Sequence, residues 1–398
     1  MPYHFSAHQR GRSSGPHNFH RNSAAKRSNR KQYINPAYFV RPAKFATQVI
    51  YKPTHNFADF DFNPLLKANL ATKGIVTPTP IQDQAIEHGL AGRDVIGIAN
   101  TGTGKTIAFA MPLLEKLMLS RENRALIMVP TRELAQQIEV ECRTLAKGSG
   151  LLGAILIGGS SMGPQLYDLR VKPQIVIGTP GRIKDHLERR SLNLSNFNIV
   201  VLDEVDRMLD MGFVADMRQI LKNVSTVRQS YFFSATVDDK VNELIKGFSK
   251  DPVTVSVKTG DTTDTVEQNT VSYKTTSEKI DKLHSLLIQN DISKALVFDD
   301  TQHSVERLSK ALQSRGFQAD AIHGGKSQGQ RQRALQRFRS NEINVLVATD
   351  VAARGIDVID ISHVINYSLP QSYDDYIHRI GRAGRAGRIG YALTFVEG

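Results

Sequence analysis

The chain holds one cysteine, Cys142, in 398 residues. No disulfide can form within it, and a lone thiol in the helical-looking stretch 133–147 reads as a small packing residue rather than a nucleophile. Long apolar runs are missing too. Nowhere do about 18 apolar residues follow one another, so no membrane span is expected. The opening Met-Pro-Tyr-His-Phe-Ser lacks the apolar core of a signal peptide. The expected location is the cytoplasm. Acidic residues are absent from positions 1–56, which carry ten lysines and arginines. The formal net charge of +12 is thus mostly a property of this stretch, leaving +2 for the rest. Rich in Ser, Asn, His, Gly and Pro and without an apolar period, residues 1–56 read as a disordered basic tail. Its interleaved aromatics (Tyr3, Phe5, Phe19, Tyr33, Tyr38, Phe39) suit contact with a nucleic-acid backbone. His4, His8, His17 and His20 lack zinc spacing and read as solvated.

What is present is an alternation of apolar runs with helical periods. Seven strand-like runs lie at 95–99, 125–129, 153–157, 174–177, 198–202, 231–233 and 253–257. A polar stretch, 258–265, reads as a linker. Six more runs follow at 270–273, 295–298, 318–322, 345–347, 363–366 and 391–395. The pattern predicts an α/β chain with two mainly parallel sheets flanked by helices, over 57–257 and 266–398.

Two segments carry chemistry. Ala99-Asn100-Thr101-Gly102-Thr103-Gly104-Lys105-Thr106 lies between the first strand-like run and a helical one. Strand, glycine-bearing loop and helix make a phosphate cradle, with inward N–H groups and a helix N-terminus. Lys105 would reach the outer phosphates, and Thr106 would place its hydroxyl on Mg2+. Ala99 stands where the pattern has its first glycine, and an ordinary strand–helix turn is the plain alternative. Second, the buried-looking run 198–202 delivers Asp203-Glu204-Val205-Asp206 at its C-terminal end, where open α/β sheets place ligands. Asp203 suits Mg2+, through water, and Glu204 suits orienting or deprotonating an attacking water. A solvated acidic turn is the alternative there.

In this order the motifs resemble those of the DEAD-box ATP-dependent RNA helicases of the second helicase superfamily, in bacterial style, across about 57–396. Gly74-Ile-Val-Thr-Pro-Thr-Pro-Ile-Gln82 resembles the Q motif, with Phe57 as its upstream aromatic. Residues 99–106 correspond to motif I, 130–135 (Pro-Thr-Arg-Glu-Leu-Ala) to motif Ia, and Gly158-Gly159 to the paired glycine. Thr179-Pro180-Gly181-Arg182 corresponds to motif Ib, 203–206 to motif II and Ser234-Ala-Thr236 to motif III. In the second half, 297–301 sits at motif IV and 328–331 matches the Gln-x-x-Arg element. Thr349-Asp350 with Arg354-Gly355-Ile356-Asp357 fits motif V, and 378–385 fits motif VI. Three positions depart from the pattern: Val205 for alanine, Ile75 where an aromatic is common, and Ala383 where threonine is frequent.

The resemblance implies two tandem RecA-like domains that unwind short RNA duplexes and remodel RNA–protein complexes, using ATP and Mg2+. It implies catalysis by Lys105, Asp203, Glu204 and the arginine fingers Arg382 and Arg385. Nucleotide contacts fall on Phe57, Ile75, Gln82, Thr101, Gly102, Thr103, Gly104, Lys105, Thr106, Gly355 and Asp357. Gln82 would pair with the edge of adenine, and Asp357 would face the ribose. Asp206, Ser234, Thr236 and His378 would couple the site to the second domain. RNA contacts fall on Pro130, Thr131, Arg132, Gly158, Gly159, Thr179, Pro180, Gly181, Arg182, Arg331 and Thr349. These carry no base readout, so RNA binding is expected to be mostly sequence-independent. A monomer is expected. An ATP-dependent RNA clamp or scaffold is the rival, and a plain P-loop kinase is disfavoured by the second half.

Overall fold

The computed structural model describes residues 34–43, 51–100, 102–257, 264–289, 292–353, 358, 360–384 and 388–398. Apolar runs of four to six residues build the first sheet from β1 (Val95–Ile98), β2 (Ala125–Met128), β3 (Gly153–Leu156), β4 (Ile175–Gly178), β5 (Ile199–Asp203), β6 (Gln229–Ser234) and β7 (Val253–Ser256). Its spatial order is β3-β4-β2-β5-β6-β1-β7, and every neighbouring pair is parallel. The second sheet contains β8 (Val266–Tyr273), β9 (Ala295–Phe298), β10 (Ala319–Ile322), β11 (Val345–Ala348), β12 (His363–Asn366) and β13 (Gly390–Glu397). Its order is β10-β11-β9-β12-β13-β8, again all parallel.

Parallel strands joined by helical crossovers are covered on both faces, so their residues are apolar without polar alternation. Accordingly Ile199 and Val201 of β5 enter one core and Val200 and Leu202 the opposite one. In β9, Ala295 and Val297 face one core of the second sheet, and Leu296 and Phe298 the other. Val205 is fully buried beside Leu202 and Met208, so the extra methyl groups of this departure have a core to occupy. Cys142 is buried in the first sheet's core, and burial pushes its thiol up to about 12, as a packing residue requires.

The structure departs from the sequence reading in two places. β8 begins at Val266, four residues earlier than the apolar run suggested. Its first half alternates buried Val266 and Gln268 with partly exposed neighbours, and the polar Gln268 hid the strand. Within the stretch assigned to a disordered tail, residues 34–43 and 51–56 are built into the fold. Pro36–Phe39 form a short 3-10 helix whose Asn35 side chain accepts from Ala37 N. Phe39 is fully buried in the second sheet's core. The physical reason is that one buried aromatic and one short turn suffice to dock a segment, and neither creates an apolar period.

Candidate functional site

The strands β5, β6 and β1 are interior neighbours of the first sheet, and the residues singled out at their C-terminal ends converge. The helix Lys105–Leu119 starts directly after the loop that leaves β1, with Gly104 at its N-cap in left-handed conformation, φ +93°. A Cβ at Gly104 would strike the Gln82 amide, so both space and backbone demand glycine here. Lys105 is buried; its Nζ donates to Ala99 O at 3.1 Å and lies 4.0 Å from Asp203 Oδ1. Thr106 follows in the same first turn, which holds no acid. A buried ammonium, free helix-start amides and a facing carboxylate are the donor set that a nucleotide polyphosphate with a divalent cation needs. Thr101 lies outside the described residues.

Gln82 is engaged within the protein. In the helix Pro80–Leu90 it is buried, its Nε2 donating to Gly104 O at 3.0 Å and its Oε1 accepting from Thr79 N at 2.9 Å. The amide joins the Q segment to the phosphate loop instead of presenting an open edge. Phe57 is buried in the first core and Ile75 packs against it.

Burial pushes the Asp203 carboxyl up to about 6, against the pull of Lys105. Glu204 takes a left-handed conformation, φ +57°, which side chains rarely adopt. Its Oε2 is buried with no hydrogen-bond partner. A strained acid with an orphaned oxygen marks a position held for something other than stability. Arg207 forms an ion pair with Glu204, its Nε 3.7 Å from that oxygen. Asp206 binds the loop after β6: its Oδ2 accepts from Ala235 N and Thr236 N, both at 3.0 Å, and from Thr236 Oγ1 at 3.2 Å. Ser234 Oγ accepts from Asp206 N and donates to Thr236 O. Burial alone would push the Asp206 carboxyl up; Lys105, the Thr236 N–H and Arg207 outweigh it and hold it below the usual range.

Arg207 carries this cluster to the second sheet. Its Nη2 donates to His378 Nδ1 at 2.6 Å. His378 lies on the helix Tyr373–Ile380. Arg382, nearly fully buried, shares a pocket with Arg207, His378, Arg379 and Asp350. Arg379 is spent on structure, gripping both Asp350 oxygens at 2.6 and 2.7 Å and donating to Ser368 O. Arg385, Gly355 and Asp357 lie outside the described residues. Sequence reasoning missed Arg207, whose only signal is its place directly after the acidic cluster.

The residues expected to meet RNA fall into two groups. Arg132 lies over Gly158 and Gly159: a Cβ on Gly159, at φ +71°, would collide with the guanidinium, and one on Gly158 would come within 3.2 Å of it. Arg182 donates to Ser160 O in the same loop. Thr131 caps the helix Arg132–Leu145 by accepting from Leu134 N, and Thr179 sits at the N-cap of Pro180–Glu188, which contains Gly181. Pro130 and Thr349 occupy the turns after β2 and β11. Arg331, expected at RNA, is engaged within the protein. It is buried, and its Nη2 meets Glu133 Oε1 at 2.8 Å, an ion pair between the two sheets' helices. Gln328 adds a donated bond to Gln136 Oε1 at 3.2 Å. Glu133, the acid that takes Arg331 from a phosphate role, carried no signal because its partner lies far away in the chain.

The chain is similar to known proteins along most of its length. The family model described as DEAD/DEAH box helicase matches residues 79–244, and that described as helicase conserved C-terminal domain matches 278–387. The ATP-dependent RNA helicase CshA of Listeria monocytogenes is 42% identical over 342 residues, 86% of this chain and 66% of that protein. The DEAD-box ATP-dependent RNA helicase CshA of Bacillus subtilis is 42% identical over 344 residues, 86% of this chain and 70% of that protein. The chain thus spans about two thirds of these relatives' length. Among solved structures, S. cerevisiae Dbp5 bound to RNA and ADP BeF3 is similar at TM-score 0.76 and 29% identity, over 86% of this chain and 89% of that one. Mss116p bound to ssRNA and AMP-PNP gives 0.76 and 29%, over 84% and 73%.

Proposed function

Because the chain belongs to the DEAD/DEAH box helicase family, and within it to the DEAD-box ATP-dependent RNA helicases, we propose that it couples ATP hydrolysis between its two lobes to local opening of short RNA duplexes. The observation that carries this reading is the split site. Lys105, Asp203 and Glu204 sit on the first lobe and His378 and Arg382 on the second, joined through Arg207.

Lys105 and the amides of Gly102, Thr103 and Gly104 neutralise and orient the phosphates. Thr106 would hold Mg2+ and Asp203 would hold it through water, and the ion would supply charge neutralisation for phosphoryl transfer. Glu204, whose Oε2 accepts no hydrogen bond and faces Arg207, orients the attacking water and accepts its proton. Arg382, with Arg385, meets charge that develops at the transferred group. Gln82 reports the Q segment's state to Gly104, and its contact with adenine requires one of its two internal bonds to yield. Gly355 and Asp357 complete the nucleotide contacts from the second lobe.

Arg132, Gly158, Gly159 and the turn 179–182 hold one RNA strand from the first lobe, and Thr349 from the second. Pro130 and Thr131 shape the first of these turns. Arg331 acts by locking the lobes through Glu133 rather than by touching phosphate. Backbone contacts of this kind position a strand without reading its bases. The likeness to Dbp5 and Mss116p chains bound to RNA and nucleotide supports RNA as the substrate, and supports the lobe arrangement described here as the engaged one. A monomer in the cytoplasm is part of this proposal; among the described residues no helix is long and apolar enough to cross a membrane.

The test is strand separation of a short RNA duplex alongside ATPase measured with and without RNA. RNA-stimulated hydrolysis with ATP-dependent separation is expected. RNA binding that needs ATP but separates no strands would instead identify a clamp.

A further inference from the structure

The segment that enters the fold before the Q motif touches both lobes. On the second lobe, Arg41 pairs antiparallel with Gln268, the outward edge of β8: Arg41 N donates to Gln268 O at 2.9 Å and Gln268 N to Arg41 O at 2.8 Å. Arg41 also donates to Asp264 Oδ1 at 2.8 Å. Phe39, fully buried, packs on Tyr376 with ring centroids 4.7 Å apart, and the Tyr376 hydroxyl donates to Gln268 Oε1 at 2.9 Å. Tyr376 lies on the helix that carries His378 and Arg379. On the first lobe, Asp83 gathers the next described stretch: its carboxylate accepts from Tyr51 Oη at 2.5 Å, Thr54 N at 2.7 Å and His55 N at 3.1 Å. Asp83 is the neighbour of Gln82 on the helix Pro80–Leu90.

We propose that this segment is a second tether between the lobes, bounding their separation and steadying the helix that presents His378 to Arg207. The proposal rests on the reading of the two sheets as lobes that open and close. Its length sets the bound. Ala43 and Tyr51 are eight residues apart in the chain, which spans at most about 26–29 Å fully extended. The other connection, from Ser256 to Val266, is ten residues long, or about 33–36 Å. One connection leaves two bodies free to swing about it; two connections restrict them to a hinge. While both anchors hold, Ala43 and Tyr51 cannot part beyond that span, and the effective concentration of one lobe near the other stays high. The tether would thereby lower the RNA concentration needed to close the enzyme.

The test lengthens the tether without touching either anchor. A flexible Gly-Ser stretch of about 20 residues is inserted after Ala46 in the full chain. Dyes are attached at Val227→Cys and Ile288→Cys, one exposed position on each lobe; the native Cys142 is buried. Lobe separation is read by energy transfer without ATP or RNA, so this readout survives even if the helicase reading fails. The insertion is expected to lower transfer efficiency in the free protein, to leave it unchanged with RNA and a non-hydrolysable ATP analogue, and to raise the RNA concentration for half-maximal ATPase about threefold or more. The pair Phe39→Ala with Arg41→Ala, which releases the second-lobe anchor, is expected to give the same loss of transfer. Identical transfer in the free forms of the parent and the insertion variant, with equal thermal melting, overturns the tether.

Discussion

Glu204 combines a left-handed backbone with a buried oxygen that accepts no hydrogen bond, and its substitution separates binding from chemistry. Glu204→Gln keeps the shape and removes the base. ATP and RNA binding are expected to persist while hydrolysis falls by about 10^2–10^4; a wild-type turnover rate would remove Glu204 from the reaction. Lys105→Ala acts earlier, deleting the phosphate countercharge, and is expected to abolish ATP binding or turnover in a direct nucleotide-binding assay. Arg207 tests the link between lobes. Its hydrogen bond to His378 is charge-assisted and partly buried, a class worth roughly 1.5–3 kcal/mol. Arg207→Gln is expected to reduce RNA-stimulated kcat about tenfold or more and to leave ATP affinity, measured without RNA, close to the parent's. A change confined to ATP affinity would place Arg207 in the nucleotide pocket instead.

At the scale of elements, the anchor at Asp83 makes a pH prediction. Burial alone would push its carboxyl up, but Tyr51, Thr54 and His55 outweigh this and hold it below the usual range. A depressed carboxyl stabilises the fold above its unfolded value and loses that contribution as pH falls through the folded one. The stability difference between the parent and Asp83→Asn is therefore expected to be full at neutral pH and to shrink below about pH 4, as followed by denaturant melts across pH. The elements also show what composition reveals and what it hides. Buried parallel strands such as β5 and β9 are legible because both faces demand apolar residues. β8 was half hidden because Gln268 satisfies its amide on Tyr376 and its backbone on Arg41, contacts that no local pattern announces. The phosphate loop and acidic cluster were legible because their chemistry is contiguous in the chain. The Arg331–Glu133 pair was not, because it joins residues from different lobes, and a basic residue on a helix reads equally well as a phosphate ligand or an ion-pair partner.

For the whole molecule, basicity divides at residue 33. Positions 1–33 hold seven lysines and arginines and no acid, whereas Arg41 within the docked segment is committed to Asp264. Deleting residues 1–33 is expected to weaken RNA binding and flatten its salt dependence by about 0.7 in logarithmic slope per lost phosphate contact, with maximal RNA-stimulated ATPase retained at saturating RNA. Matching affinity-versus-salt curves for the two forms would leave this stretch no part in RNA capture. Deleting residues 1–56 is a different experiment, because it also removes Phe39 from the second core and the ligands of Asp83. The docking of Arg41 beside β8 has a consequence for how the protein is made. Arg41 and Asp264 are 223 residues apart in the chain. At about 5–20 residues per second, the ribosome synthesises the second of them roughly 10–45 s after the first. Phe39 precedes every strand of both sheets and waits for its burial until β8 and the Tyr376 helix have been synthesised, so the second lobe is finished by a segment translated before any of its own strands.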